Sequence, residues 1–265
     1  MRQTITPATD AAAAVVTGLA TFVARDSDLV LELDGPGLVD AVVSRTTNLF
    51  TPSADASFAF TDGVPAIVPG IPGTTLDPVV LAGAIAAAVI SDDRTARVEL
   101  IPTDPAQSTE KLQALGITEL VSEFSTPLTN QPDRTENLAI GADKITGTLV
   151  LPGGTFSLTE ALGPITAAAG FNQAGVIVNG EHVKGWGGGL SQMSTTTFNA
   201  AYFAGFEDVD HTPHSEWFSR YPEGREATIY TGSIDMQFKN TTPYGALLRS
   251  WIEGGRVHVA IWGTK

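Results

Sequence analysis

The chain carries three consecutive glycines, in Gly185-Trp186-Gly187-Gly188-Gly189-Leu190-Ser191-Gln192, and no other stretch restricts the backbone as sharply. Glycine loses more conformational freedom on folding than any other residue, so a run of them is kept mainly where the main chain bends hard or approaches something closely. Beyond the triplet, Leu190, Met193, Phe198, Ala201 and Tyr202 recur at helical spacing until Gly205 supplies a C-terminal stop. The expectation is an elbow that feeds a helix, with Ser191 at the helix entrance. Unpaired backbone N–H groups and the positive end of the helix dipole favour a carboxylate, an oxyanion or a developing alkoxide there. The plainer reading is that Ser191 only caps the helix, a task Ser194 or Thr195 could share.

A second polar segment follows, Asp210-His211-Thr212-Pro213-His214-Ser215 and then Arg220-Tyr221-Pro222-Glu223-Gly224-Arg225-Glu226-Ala227-Thr228. Two histidines around a proline-stiffened turn, with arginines beside them, make this the natural partner of the elbow. No third ligand stands at a metal-binding spacing, so no metal is expected, and no cofactor motif is present. In a catalytic site His214 would take the Ser191 proton and N–H groups after Gly189 would hold an oxyanion. Asp235 would orient the imidazole. Arg225 and Arg220 suit a ligand carboxylate, whose charge and planarity a guanidinium fork matches. Arg225 could instead pair with Glu226 or Asp235. Gly187, Gly188, Gly189 and Gln192 complete the expected binding set.

Composition removes several classes of function. With 29 acidic against 15 basic residues the formal charge is -14, which repels phosphate backbones, so no nucleic-acid partner is expected. Cysteine is absent, which leaves no disulfide, zinc–thiolate cluster or thiol nucleophile, and any covalent chemistry must use oxygen or nitrogen. The most apolar early stretch, Ala11 to Val23, is too short to span a bilayer and lacks the basic flank and cleavage pattern of an export signal. It reads as a buried helix.

The chain reads as α+β. Leu29 to Leu33 alternates like a strand, Leu38 to Leu49 reads as a helix, and Ala56 to Phe60 with Val64 to Val68 reads as a hairpin around Thr61-Asp62-Gly63. Thr75 or Asp77 would cap a helix over Pro78 to Ile90, and Arg97 to Ile101 is a further strand. A linker rich in Thr, Asn, Gln and Asp places a domain junction between about 120 and 135. After it, Thr228 to Tyr230, Ile234 to Phe238, Ala246 to Ile252 and Arg256 to Trp262 read as strands, the last two joined at Glu253-Gly254-Gly255.

Two sets of motifs resemble known families. Val68-Pro69-Gly70 with Gly73 and Leu76-Asp77, then Thr109, Leu112, Leu115-Gly116-Ile117 and Phe124-Ser125-Thr126, are similar to the YoaR-like peptidoglycan-binding domain. Five further motifs resemble the VanW domain: Pro152-Gly153-x-Thr155-Phe156-Ser157; Gly187-Gly188-Gly189-x-Ser191-Gln192-x-Ser194-Thr195-Thr196; His214-Ser215; Gly224-Arg225-Glu226-Ala227-Thr228; and Asp235-x-x-Phe238-x-Asn240. The resemblance implies a YoaR-like domain over 1–122 and a VanW-like domain with a β-rich C-terminal half over 123–265. It implies an extracytoplasmic, cell-envelope role with peptidoglycan or its stem peptides as partner. Export or anchoring would then need a segment upstream, so a start at Met1 is what a trimmed surface protein would show, and membrane contact is expected only through an anchor outside this chain.

Some VanW members are implied to be L,D-transpeptidases that use a cysteine after the glycine triplet, and here that position is Ser191. A serine hydroxyl is a far weaker acid than a thiol and needs a well-placed base. Three readings stay open at this point: Ser191 is a natural nucleophile, the protein is a binding-only or structural relative, or a cysteine was replaced by design. Leu190, Met193 and Thr197 also depart from the family pattern, which points to natural divergence over a single swap.

Overall fold

In a computed structural model of the chain, residues 2–5, 19–25, 28–178 and 180–265 are described. They fall into two compact units, one drawn from residues up to 57 and from 68–109, the other from 58–67 and 110–265.

In the first unit β1 (Arg2–Ile5) pairs with a distant strand, and β2 (Ala20–Arg25) forms an antiparallel pair with β3 (Asp28–Leu33). The helix expected up to Val23 is therefore corrected over Ala20–Val23, while residues 11–18 lie outside the described residues. Phe22 sits opposite Leu31 and is 69% exposed. Cross-strand hydrogen bonds to β3 have overridden the local helical spacing there.

Two helices follow, each opened by an aspartate. Asp34 accepts from the Gly37 amide at the start of α1 (Gly35–Arg45). Asp77 accepts from the Val79 and Val80 amides at the start of the helix over Pro78–Ile90. The two helix starts touch, since a Cβ on Gly35 would lie 2.6 Å from the Pro78 carbonyl oxygen. Leu38, Leu76, Leu81 and Val98 form the small core between them. Between the helices the chain makes the hairpin β4 (Ser57–Thr61) and β5 (Val64–Val68), then β6 (Gly73–Thr75), before that second helix, α2. After α2 come β7 (Ala96–Glu99), the partner of β1, and β8 (Ile101–Thr103), the partner of β6.

The second unit takes in most of the β4-β5 hairpin and then, from residue 110 on, most of α3 (Thr109–Ala114), followed by β9 (Glu119–Pro127), α4 (Pro132–Ile145) and β10 (Leu149–Val150). Next come β11 (Thr155–Ser157), α5 (Leu158–Leu162), the hairpin β12 (Gln173–Val178) and β13 (Glu181–Trp186), and α6 (Leu190–Phe203). It ends with β14 (Glu207–Asp210), β15 (Gln237–Lys239), β16 (Ala246–Glu253) and β17 (Arg256–Gly263). A four-stranded antiparallel sheet runs in the order β10-β16-β17-β9, and a three-stranded sheet in the order β11-β15-β14. β9 crosses the expected linker region and lies wholly in this unit, bonded to β17 along most of its length.

The strands alternate as a half-buried sheet requires. Val257, Val259 and Ile261 point inward, whereas Trp251 and His258 stack on the outer face with ring centroids 4.8 Å apart. Helices α4 and α6 cover the inner face through Leu138, Ile145 and Met193. The hairpin β4-β5 turns at Asp62-Gly63, both with positive φ, and Arg249 of β16 lies over the Phe60 ring and against Gly63. The chain is thus α+β with a β-rich C-terminal half. Thr228 and Tyr230, expected in a strand, make only isolated bridges to Thr212 and Ile234.

Candidate functional site

Each glycine of the triplet has its own reason to be glycine. Gly187 and Gly189 have φ of +69° and +107°, a left-handed region costly for any residue with a Cβ. Gly188 lies so close to β12 that an added Cβ would fall 2.4 Å from the Ala174 carbonyl carbon. The close approach is to the protein's own backbone. Asn137 of α4, fully buried, fixes the elbow by donating to the carbonyls of Asn172 and Gly188, each at 3.0 Å, and accepting from the Asn172 amide at 2.7 Å.

Helix α6 is buried along nearly its whole length although it is rich in polar side chains. Their hydrogen bonds divide by face. Ser191, Thr195 and Asn199, spaced four apart, all bond to the 225–229 segment: Thr195 to the Ala227 carbonyl at 2.8 Å, Asn199 to that of Arg225 at 2.8 Å, and Ser191 to the Thr228 hydroxyl at 2.8 Å. Gln192 and Thr196 face β9. Gln192 donates to Thr126 and to the Pro127 carbonyl, and Thr196 shares a hydrogen bond with Thr126. Gln192 is fully buried, so a side chain expected to bind ligand instead anchors the sheet.

Ser191 does not cap α6. The cap position is Gly189, with no side-chain cap, and the Leu190 and Gln192 amides bond instead to the carbonyls of Gly187 and Gly189. The Ser191 hydroxyl is partly exposed at the wall of a cleft of about 900 Å3. Gly187, Gly189, His214, Thr228, Arg134 and Arg220 share that wall. The cleft is covered on one side by the β12-β13 hairpin, where His182 pairs with Glu216 at 3.3 Å.

The His214 side chain is 7% exposed. Its ring is stacked on Tyr221 and edge-on to Phe218. Burial lowers its pKa from the usual 6.5 to about 4, with the charges of Arg220 and Arg134 adding to the effect. The imidazole is neutral at neutral pH. Glu226 sits 3.1 Å from Nδ1, which places the ring proton on Nδ1 and leaves the lone pair on Nε2. Burial also raises the Glu226 carboxyl pKa, against the pull of the Phe218 amide and Arg220.

Glu226, and not Asp235, is therefore the acid on the imidazole. Asp235 accepts from the Ser157 hydroxyl at 2.5 Å, the amides of Thr159 and Met236, and Gln237 Nε2. Burial works against its charge, yet these four donors outweigh it and hold the carboxyl below its ordinary pKa. Asp235 thus organises the start of α5. Arg225 lies over the Phe203 ring at 5.0 Å and is not among the cleft-lining residues. His211 pairs with Asp208 and packs on Phe198.

Of the expected residues, the cleft brings together Ser191, His214, Arg220, Gly187 and Gly189. It adds Arg134, which lies in a stretch that reads as linker by composition. Pro132 two residues earlier, at a favoured helix-start position, was the available signal that α4 begins there. Ser191 and His214 make no direct hydrogen bond among the described contacts.

The family described as VanW like protein matches residues 133–262. The uncharacterized protein YoaR of Bacillus subtilis (strain 168) is 34% identical over 131 residues, which are 49% of this chain and 43% of that protein, so the match spans under half of the relative's length. No solved structure matches. The glycine elbow, Ser191 and His214 all lie inside the matched stretch, so residues 133–262 are VanW-like and the chain is similar to YoaR.

Proposed function

We propose that this is an extracytoplasmic cell-envelope protein whose cleft binds peptidoglycan stem peptides and transfers their acyl group through Ser191. The VanW-like stretch over residues 133–262 supports the envelope. The observation that carries the chemistry is one cleft holding Ser191 at an uncapped helix start, a neutral imidazole with a carboxylate on Nδ1, and two guanidiniums. Stem peptides carry carboxylates, and a cationic cleft in a chain of charge -14 is a local reversal suited to them. Wall contact by the first unit belongs to the same proposal, on the resemblance of its motifs.

In the proposed reaction the Ser191 hydroxyl oxygen attacks a stem-peptide carbonyl carbon. A C–O bond forms as the C–N bond to the leaving amine breaks. The hydroxyl proton passes to His214 Nε2 and then to the departing nitrogen, while the Ser191 amide at the α6 start holds the oxyanion. An incoming amine or water then takes the acyl group and restores the hydroxyl. Attack requires Ser191 to turn from Thr228 towards His214, a tightening that ligand binding commonly supplies.

A second reading, binding without chemistry, is favoured by the hydrogen bond that ties Ser191 to Thr228. Intact-mass measurement after incubation with synthetic stem peptides separates the two. Acyl transfer predicts an ester adduct on the wild type, none on Ser191→Ala, and an equal or larger one on Ser191→Cys. Binding with no adduct on any of the three supports the second reading, and absence of binding rejects both.

A further inference from the structure

A second cavity of about 210 Å3 adjoins the cleft, and Arg134 and Arg220 line both spaces. Each guanidinium is held in place. Arg220 lies over the rings of Phe218 and Tyr221, at 4.3 and 4.6 Å. Arg134 donates to Gln192 at 3.3 Å, and its stem packs on Gly189, where a Cβ would come within 2.5 Å of Cγ.

Neither guanidinium has a carboxylate within salt-bridge distance among the described residues. The Nε of each is buried without a hydrogen-bond partner, and the buried Tyr221 hydroxyl interacts with both guanidiniums but brings them no negative charge. The two cations also feel one another, since the charge of Arg220 adds to burial in lowering the Arg134 pKa. Buried charges are ordinarily paired. Glu226 feels the charge of Arg220 but does not reach salt-bridge distance, so two like-charged forks, fixed in direction and without a directly paired carboxylate, have the composition of a binding site for one. The smaller cavity offers about seven times the volume of one liquid water, room for a short acid-bearing side chain but not for a length of peptide.

We propose that Arg134 and Arg220 form a carboxylate subsite at the junction of the two cavities, which takes an acidic group of a peptide whose backbone runs past Ser191. The subsite selects ligands in which that group is a free carboxylate over those in which it is a carboxamide. This rests on the peptide-binding reading of the cleft, and the assignment of Arg134 and the acid-against-amide selectivity go beyond it.

Calorimetric titration of the full chain tests the subsite with two probes, a synthetic stem tetrapeptide bearing free carboxylates and its carboxamide counterpart. The wild type is expected to bind the free acid on the order of 10- to 100-fold more tightly. In Arg134→Met and Arg220→Met, which keep an apolar stem, that preference collapses while affinity for the carboxamide changes less than about threefold. Glutarate supplies a probe that is independent of peptidoglycan, raising the unfolding temperature of the wild type but not of the double variant. A glutarate response without stem-peptide binding keeps the subsite and refutes the peptidoglycan reading. Stem-peptide binding with equal affinity for acid and amide refutes the subsite and leaves that reading standing. Equal loss of both probes in the single variants, or a glutarate response that survives the double variant, also overturns the subsite.

Discussion

Gly188→Ala should damage the fold far more than an ordinary surface substitution. Its φ is not in the left-handed region, so the cost is purely one of space. The new Cβ would lie 2.4 Å from the carbonyl carbon of Ala174 and 2.5 Å from its oxygen. Ordinary contact needs about 1 Å more, and the obstacle is main chain, with no side chain able to swing aside. Strand β12 or the elbow must shift as a whole, at a cost of about 3 kcal/mol. For a unit of this size that lowers the unfolding temperature by about 6–12 °C. Residues 186, 217, 251 and 262, all four tryptophans, lie in the second unit, so tryptophan fluorescence during heating or urea unfolding reports that unit alone. Gly175→Ala, also on β12, is the control, because nothing lies within 4 Å of its added Cβ. It should change stability by less than about 0.5 kcal/mol. Wild-type melting of Gly188→Ala, or equal loss in Gly175→Ala, would refute the argument that backbone contact dictates this glycine.

Two further outcomes are expected. His214 has a folded pKa of about 4 against 6.5 ordinarily, so as pH falls through 6.5 the unfolded chain takes up a proton that the folded chain refuses. Stability from this group is therefore unaffected above about pH 7 and declines between 6.5 and 4, by about 3 kcal/mol in all. His214→Gln should lose correspondingly less between pH 7 and pH 4.5 in urea midpoints, and parallel losses in both proteins would show that the imidazole is not depressed. Asn137→Ala removes three hydrogen bonds and leaves the Asn172 amide and the Gly188 carbonyl without their Asn137 partner, while the Asn172 carbonyl keeps the Gly187 amide, costing about 2–4 kcal/mol. An unchanged urea midpoint would show that Asn137 does not hold the elbow.

The site was legible in the sequence where a residue's role depends on its immediate neighbours. The triplet announced an elbow because only glycine tolerates that backbone, and the spacing of Leu190, Met193 and Phe198 placed a helix behind it. Asp77 signalled the start of α2 for the same local reason. Reasoning along the chain could not choose the acid that meets His214, since Asp235 and Glu226 are both carboxylates downstream of it and sequence separation does not fix which one folds back. Packing settled it: the segment laid along α6 by Thr195 and Asn199 carries Glu226 to the imidazole, while Asp235 is drawn off by Ser157 and Thr159. Arg134 and Gln192 traded expected roles likewise, one leaving an apparent linker for the cleft wall and the other turning inward to β9. The sequence by itself determined which backbone could bend and which segments would be helical or extended, because those depend on sterics and periodicity within a few residues. Tertiary structure alone decided which charges face one another, because burial and distance across the cleft are properties of elements far apart in the chain.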